Sequence, residues 1–289
     1  MSESVSHSAP TLALIAAIAR NGVIGAGNMA GSLINGLISD GYDPACILAS
    51  DTNAAALAAM SRRTGVRTTA NNAVAADADV VVLAVKPQML QGVAREIAPI
   101  VQLRRPLVIS IAAGIREDAL EGWLGGGVAL VRTMPNTPAM IGAGATVLHA
   151  GPGVTEEQRD SAESILRSVG LTRWVDDEGL LDAVTAVSGS GPAYFFLVME
   201  AMEAAAIDLG IPRETARLLT LQTALGAARM AIESDEEPAT LRRRVTSPGG
   251  TTERAIAVFE EGGLRELFRR ALTAAHDRSV ELSRLLEGK

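Results

Sequence analysis

The sequence predicts an α/β chain in two parts, a doubly wound sheet followed by an all-helical domain. Three observations carry this. Gly25 to Ala30, GAGNMA, form a glycine-rich turn that opens a helix directly after the apolar pair Val23 and Ile24. From there to about Trp174, short apolar runs alternate with helical patterns, as βαβ units require. After Glu178 nothing reads as a strand, and the apolar residues run nearly all the way round the helices. With 289 residues the chain fits two domains, placed at 1–178 and 179–289.

Residues 1–10 are polar and expected to be disordered. From Thr11 the chain should enter its first strand, yet Arg20, Asn21 and Gly22 interrupt a stretch that ought to be buried. Either an extra strand precedes a short one, or the first strand is irregular. GAGNMA then matches GxGxxA: one Gly for the tight turn, a second for close approach of a pyrophosphate, and a small third residue for helix–strand packing. The first domain is therefore expected to be a Rossmann domain. Leu33, Ile34, Leu37 and Ile38 recur at helical spacing, and CILAS reads as a second strand ending at Ser50 and Asp51.

A helix is expected from about Asn53 to Arg63, then a strand at Val66 to Thr68. The unbroken apolar run Val80 to Val85 suits a strand covered on both faces. There follow a helix from Gln88 to Pro99, the strand LVISIAAG, a short helix from Arg116 to Trp123 and the strand VALVRTMPN. ATVLHA and LTRWVDD flank a helix, Thr155 to Ser168, and finish the sheet. Lys86-Pro87, Ala112 to Gly114 and Met134 to Asn136 each end a strand, so all three should border one ligand crevice.

In the second domain, helices are expected from Gly191 to Gly210, from Pro212 towards Glu233 and from about Leu264 to Leu286. Their Ala-rich, all-round apolar character calls for a partner subunit, most simply a two-fold dimer. Between them lies VTSPGGTT, Val245 to Thr252. Pro248, Gly249 and Gly250 form a turn, and Thr251 or Thr252 is expected to N-cap the next helix. Unpaired N–H groups, glycines without a Cβ and the helix dipole make that turn suitable for a small carboxylate. An ordinary capped turn would also explain the threonines.

Composition excludes other classes. A net charge of −7 leaves no basic footprint, and Arg242 to Arg244 are too short a run to bind nucleic acid. One cysteine, Cys46, and three scattered histidines give no disulfide and no metal-ligand spacing. The apolar run Leu12 to Ala19 has no preceding basic residue and is ended by Arg20, too short for a membrane span. A cytoplasmic protein is expected.

IGAGNMA, VVLAVKPQ (Val81 to Gln88), VRTMPNTPA (Val131 to Ala139), DAVTAVSGSGPAYFF (Asp182 to Phe196) and LRRRVTSPGGTTERAI (Leu241 to Ile256) together resemble pyrroline-5-carboxylate reductases. The likeness runs from Val23 onward, and its last two motifs are the specific ones. It implies NADPH- or NADH-dependent reduction of a cyclic imine to L-proline, with a Rossmann domain and a helical dimerisation domain. It also implies sites completed across a homodimer and larger assemblies such as a decamer of five dimers. By position, Ile24, Gly25, Ala26, Gly27, Asn28, Met29, Asn71, Val85, Lys86, Pro87 and Ala112 would contact the cofactor, with Ser50 and Asp51 after the second strand. Ser247, Gly249, Gly250 and Thr251 would receive the substrate carboxylate, Thr252 would bond the ring nitrogen as the catalytic residue, and Glu178 and Asp235 would lie nearby.

An acidic residue after the second strand ordinarily accepts bonds from the adenosine ribose, which favours NADH; its neighbours Ser50, Thr52 and Asn53 leave both cofactors open. A cyclic iminium arrives already protonated from water, so a neutral hydroxyl suffices and positioning should carry the catalysis. Within enzymes the competing reading is a β-hydroxyacid dehydrogenase, but these use a lysine in the helical domain and residues 180–288 contain none. A non-catalytic nucleotide sensor is the competitor from another class. LALIAAIARNGVIG is similar to the opening of dihydrofolate reductases, without the Pro-Trp that follows there.

Overall fold

A four-residue strand, β1 (Asn21–Ile24), starts the sheet and is buried along its whole length. The computed structural model describes residues 19–287, so the expectations for residues 1–10 and for the apolar run before Ala19 fall outside it. Asn21 and Gly22 do not interrupt the strand; they are its first half. The reason lies in a close approach: a Cβ on Gly22 would sit 1.9 Å from the Ala75 carbonyl oxygen at the end of a short helix, Asn72–Ala75. Only glycine lets that helix pack there.

The other strands are β2 (Ile47–Ser50), β3 (Arg67–Thr69), β4 (Val80–Leu83), β5 (Leu107–Ser110), β6 (Ala129–Met134), β7 (Gly144–Ala150) and β8 (Gly170–Trp174). They form one sheet in the order β3-β2-β1-β4-β5-β6-β7-β8. All neighbours are parallel except β6 and β7, which are antiparallel. The order reverses at β1: the chain leaves it towards β2 and β3, then crosses back to β4 on its other side. Such a switch point opens a ligand crevice at the carboxyl ends of the strands.

Alternate strand residues feed two cores. Val23, Val80, Val82, Leu107 and Ile109 point to one face with α1 (Asn28–Ser39), α2 (Ala54–Thr64) and α6 (Glu156–Arg167), α3 being the short helix at Asn72–Ala75. Ile24, Val81, Leu83 and Val108 point to the other face, with α4 (Pro87–Arg104) and α5 (Glu117–Leu124). This is why the strands read as unbroken apolar runs. Helix α4 continues past Pro99, where the sequence suggested its end. Its last turns are held by burial of Val101 and by Gln102, whose amide donates to the carbonyls of Leu124 and Gly126 at 2.9 Å each.

Contacts divide the chain into two units, residues up to Gly189 with those from Ala275 onward, and Ser190–Ala274. The break falls later than the expected boundary at 178/179 because α7 (Leu180–Val184) belongs to the sheet unit. Its Asp182 is buried, accepting from Arg116 at 3.1 Å and from the Ser279 hydroxyl at 2.7 Å.

The second unit is helical: α8 (Gly191–Asp208), α9 (Arg213–Glu233), α10 (Pro238–Arg244), α11 (Thr251–Glu261) and the first part of α12 (Leu264–Glu287). A π-helical turn, Thr185–Gly189, joins α7 to α8, so SGSGPAY is a helix start and not a loop. Phe195, Phe196 and Leu197 are about two-thirds exposed, at 67, 64 and 65%. The continuous stretch Leu180–Asp208 is also long and apolar enough, by length and composition alone, to cross a membrane, a candidate that sequence reading passed over.

Candidate active site

In the sheet unit, the glycine loop leaves β1 and starts α1 at Asn28. Gly25 has φ +111°, and a Cβ on it would lie 2.6 Å from the Ala84 carbonyl oxygen, so the tight turn needs glycine. At Gly27 a Cβ would meet nothing of the protein within 4 Å. That glycine therefore serves access from outside. Ala30, the third small residue, is fully buried in the core beside α1. Gly27 is the N-cap, with no side chain capping the helix, and the first helical bond comes from Gly31 N–H to the Gly27 carbonyl at 2.9 Å. The N–H groups at the start of α1 have no intrahelical acceptor and sit at the positive end of the helix, a ready seat for phosphate.

Beside the loop is a cavity of about 400 Å³ whose lining includes Gly25, Gly27, Ser50, Asp51, Val85 and Lys86. Six of the expected cofactor residues thus meet around one space. Thr52 and Asn53, the neighbours of Asp51, line it too, and so does Asn72, which sequence reading missed. Ser50 is fully buried and donates to the Asn72 side chain at 2.9 Å, so its part is to shape the wall. Asp51 is fixed by two backbone donors, Ala26 N–H at 2.7 Å and Asn53 N–H at 2.8 Å. Ala26 and Asn28, with Gly27, line a second cavity of about 210 Å³ between α1 and α2.

Other expected residues stand apart from the larger cavity. Ile24 is buried in the core, and Met29 packs against the opposite one. The oxygen of Asn71 caps α3, accepting from Ala73 and Val74 N–H. Pro87 is the first residue of α4, and Ala112 is buried just after β5. Of the three turns expected to share a crevice, each does follow one of the adjacent parallel strands β4, β5 and β6, but only Lys86 reaches this cavity.

Glu178 lies in the sheet unit within a charged cluster that sequence reading did not foresee. One of its oxygens accepts from the Arg132 guanidinium and from Glu117 N–H, both at 2.7 Å. Glu117 in turn sits 3.2 Å from His149 Nε2. Burial pushes the Glu117 carboxyl above its ordinary range, opposed by His149 and reinforced by the charge of Glu178. An arginine inside the apolar strand VALVRTM was the available signal, since a buried cation needs a carboxylate.

In the helical unit, Ser247 to Gly250 close a turn through Gly250 N–H to the Ser247 carbonyl at 3.0 Å. With Pro248 second and Gly249 at φ +71° third, it follows the type II pattern. The N-cap of α11 is Gly250, with no side-chain cap bond, so neither threonine holds the capping place expected of it. Glu253 does that work differently: its carboxylate accepts Gly249 N–H at 2.7 Å. Both glycine N–H groups are therefore spent within the turn. Those left for an anion are the N–H groups of Thr251, Thr252 and Glu253, since Arg254 N–H is the first to reach a helical acceptor, the Gly250 carbonyl at 3.3 Å. Asp235 is exposed between α9 and α10, while neighbouring Glu236 pairs with Arg244 at 2.5 Å.

Comparison with known proteins also separates an N-terminal from a C-terminal part, with the C-terminal match beginning at the expected 178/179 boundary and not at the contact break after Gly189. Residues 178–282 match the family model described as pyrroline-5-carboxylate reductase dimerisation, and residues 20–114 match that described as NADP oxidoreductase coenzyme F420-dependent. The chain is 53% identical to the pyrroline-5-carboxylate reductase of Pseudomonas aeruginosa over 264 residues, 91% of this chain and 96% of that one. It is similar to the solved pyrroline-5-carboxylate reductase of Coxiella burnetii, with a TM-score of 0.88, 50% identity and coverage of 91% and 98%. The Plasmodium falciparum enzyme, solved with NADP bound, matches with a TM-score of 0.82 at 27% identity, covering 92% of this chain and 99% of its own.

Proposed function

The chain belongs to the pyrroline-5-carboxylate reductase family, and on that premise we propose how its residues carry out the NAD(P)H-dependent reduction of L-1-pyrroline-5-carboxylate to L-proline. NADH or NADPH, when bound, supplies the hydride that the imine carbon accepts. The open space over Gly27 and the uncapped start of α1 fit a pyrophosphate. Gly25, Gly27, Asp51, Val85 and Lys86 hold the dinucleotide along the cavity they line, Ala26 and Asn28 lie beside it on the second cavity, and Met29, Asn71, Pro87 and Ala112 act from the flanking elements.

The helical unit receives the imino acid. The observation that carries this is the start of α11, where the turn uses up its own glycine N–H groups and leaves those of Thr251, Thr252 and Glu253. The substrate carboxylate sits on that positive end, with the Ser247 and Thr251 hydroxyls at its flanks and Gly249 and Gly250 providing access. The Thr252 hydroxyl bonds the ring nitrogen. Since the nitrogen arrives protonated, the hydroxyl orients and does not donate the proton, and catalysis comes from fixing the imine carbon in line for hydride. Glu178 supports the fold through Arg132, and Asp235 lies at the periphery of the substrate.

The chain self-associates through its dimerisation domain. The assembly is a homodimer that builds further into a decamer of five dimers. The apolar surface of α8, with its exposed phenylalanines, supports coverage by a second copy over insertion in a membrane, because Glu200 and Glu203 interrupt the same helix. A cytoplasmic biosynthetic enzyme follows. The test is oxidation of NADH and NADPH in parallel, followed by absorbance, with pyrroline-5-carboxylate present. Turnover with either supports the reading; a folded, self-associated protein inactive with both would favour a nucleotide sensor.

A further inference from the structure

We propose that Asn136 is a positioning residue for hydride transfer, acting through the π-helical turn Thr185–Gly189 that it holds at the carboxyl end of β6. The inference rests on reading the strand-end crevice as the dinucleotide site. In a doubly wound sheet each half of the sheet takes one mononucleotide. The larger cavity gathers residues from the turns after β1, β2 and β4, which leaves the ends of β5 and β6 to border the nicotinamide half.

Asn136 stands two residues beyond β6, and its amide is used from both ends. The side-chain oxygen accepts Ala145 N–H at 2.8 Å, near the start of β7, while the nitrogen donates to the Ser188 carbonyl at 3.0 Å. The sequence explains why that carbonyl needs a donor. In an α-helix the donor would come four residues on, and that residue is Pro192, which has no N–H. A proline ring also crowds the carbonyl four residues back, so the backbone widens there into the π turn. Asn136 supplies the missing donor from outside the helix.

The turn is tied down elsewhere too. The Thr185 and Ser188 hydroxyls donate to the carbonyls of Leu181 at 2.7 Å and Val184 at 3.1 Å. Gly189 rests on Met134, the last residue of β6, since a Cβ on it would lie 2.5 Å from the Met134 methyl carbon. Single π turns within helices recur where their shape is used. This one is fixed, through Met134 and Asn136, to the strand end beside the nicotinamide half.

Three variants separate positioning from support. Asn136→Asp keeps an acceptor for Ala145 N–H but loses the donor to Ser188, and Asn136→Ala loses both. Pro192→Ala works from the other side, giving the Ser188 carbonyl a backbone N–H and favouring the α register. Each is measured by thermal unfolding, by nicotinamide fluorescence for NADH and NADPH affinity, and by hydride transfer from cofactor deuterated at the transferred position. Well below their Tm, the Asn136 variants should transfer hydride about tenfold or more slowly, with cofactor affinity within about twofold of wild type. Pro192→Ala should be as stable as wild type or more so, yet slowed likewise and with a larger isotope effect on turnover. A merely structural role cannot give stability kept with rate lost. Wild-type rates in folded Asn136 variants overturn the proposal and leave the reaction standing. If those variants do not fold, Pro192→Ala decides, and an unimpaired rate there overturns it equally. A wild type that oxidises neither cofactor with pyrroline-5-carboxylate brings down the reading of the site, and the proposal with it.

Discussion

Glu178→Gln probes the charged cluster and separates a supporting role from substrate contact. Arg132 is only 5% exposed and its guanidinium lies 2.7 Å from a Glu178 carboxylate that is 20% exposed. Removing one partner of a buried pair costs about 3–5 kcal/mol because the other charge is stranded. Here the glutamine oxygen can still accept from Arg132 and from Glu117 N–H, which reduces the cost to roughly 2–3 kcal/mol. At about 2–4 °C per kcal/mol for a domain of 150–250 residues, Tm should fall by roughly 5–10 °C. Arg132→Met should cost less, about 1–2 kcal/mol, because Glu178 keeps a backbone donor and some water. The double variant should cost less than the sum of the singles. Thermal unfolding at matched protein concentration, which holds self-association fixed, gives these values, and steady-state kinetics on the same samples gives KM for the imino acid. An unshifted Tm with a KM raised about tenfold would refute the reasoning and make Glu178 a substrate ligand, because that loss of binding, about 1.4 kcal/mol, belongs to a direct contact.

Gly22→Ala should destabilise the sheet unit by about 3 kcal/mol or more, since its Cβ must displace backbone at Ala75, and far-UV circular dichroism on heating would record it. Glu117→Gln should change the pH dependence of stability. The folded state raises the Glu117 pKa, so wild-type stability is favoured below the ordinary carboxylate value of 4.5 and is lost as pH rises through the higher folded value. Relative to wild type, the variant should gain stability as pH increases from 4.5, and urea midpoints across that range would show a flat difference if burial of the charge did not matter. Glu253→Ala should cost about 0.5–1 kcal/mol, the worth of a helix-start bond, while freeing Gly249 N–H and lowering KM for the imino acid. A raised KM would mean that the Glu253 carboxylate holds the turn in its receptive shape.

What was legible in the sequence was local. GAGNMA announced the tight turn at Gly25 and the small buried residue at Ala30, and the strands buried on both sides declared themselves as unbroken apolar runs. The misreadings came where a distant segment decides. Asn21 and Gly22 look like a break until the Ala75 carbonyl is seen against Gly22. Pro99 looks like a stop until Gln102 is found bonded to the segment after α5. At VTSPGGTT the residue types pointed to a helix start with spare donors, but hydroxyl preference put a threonine at the cap. Glycine takes that place because Glu253 reaches back to cap the turn from inside the helix. The pairing of Arg132 with Glu178 and of Asp182 with Ser279 spans many residues, and no periodicity announces it.

The central claim is that Thr252 orients the ring nitrogen. Because Gly250 and not Thr252 is the N-cap, Thr252→Ala should leave stability nearly unchanged, within about 0.5 kcal/mol for a surface position. The measurement is single-turnover oxidation of bound NADH or NADPH on mixing with pyrroline-5-carboxylate, alongside the affinity for each cofactor. A rate lowered about a hundredfold or more with cofactor affinity intact is the expected result for a lost positioning contact. An unchanged rate, or equal loss of rate and cofactor affinity, would contradict it.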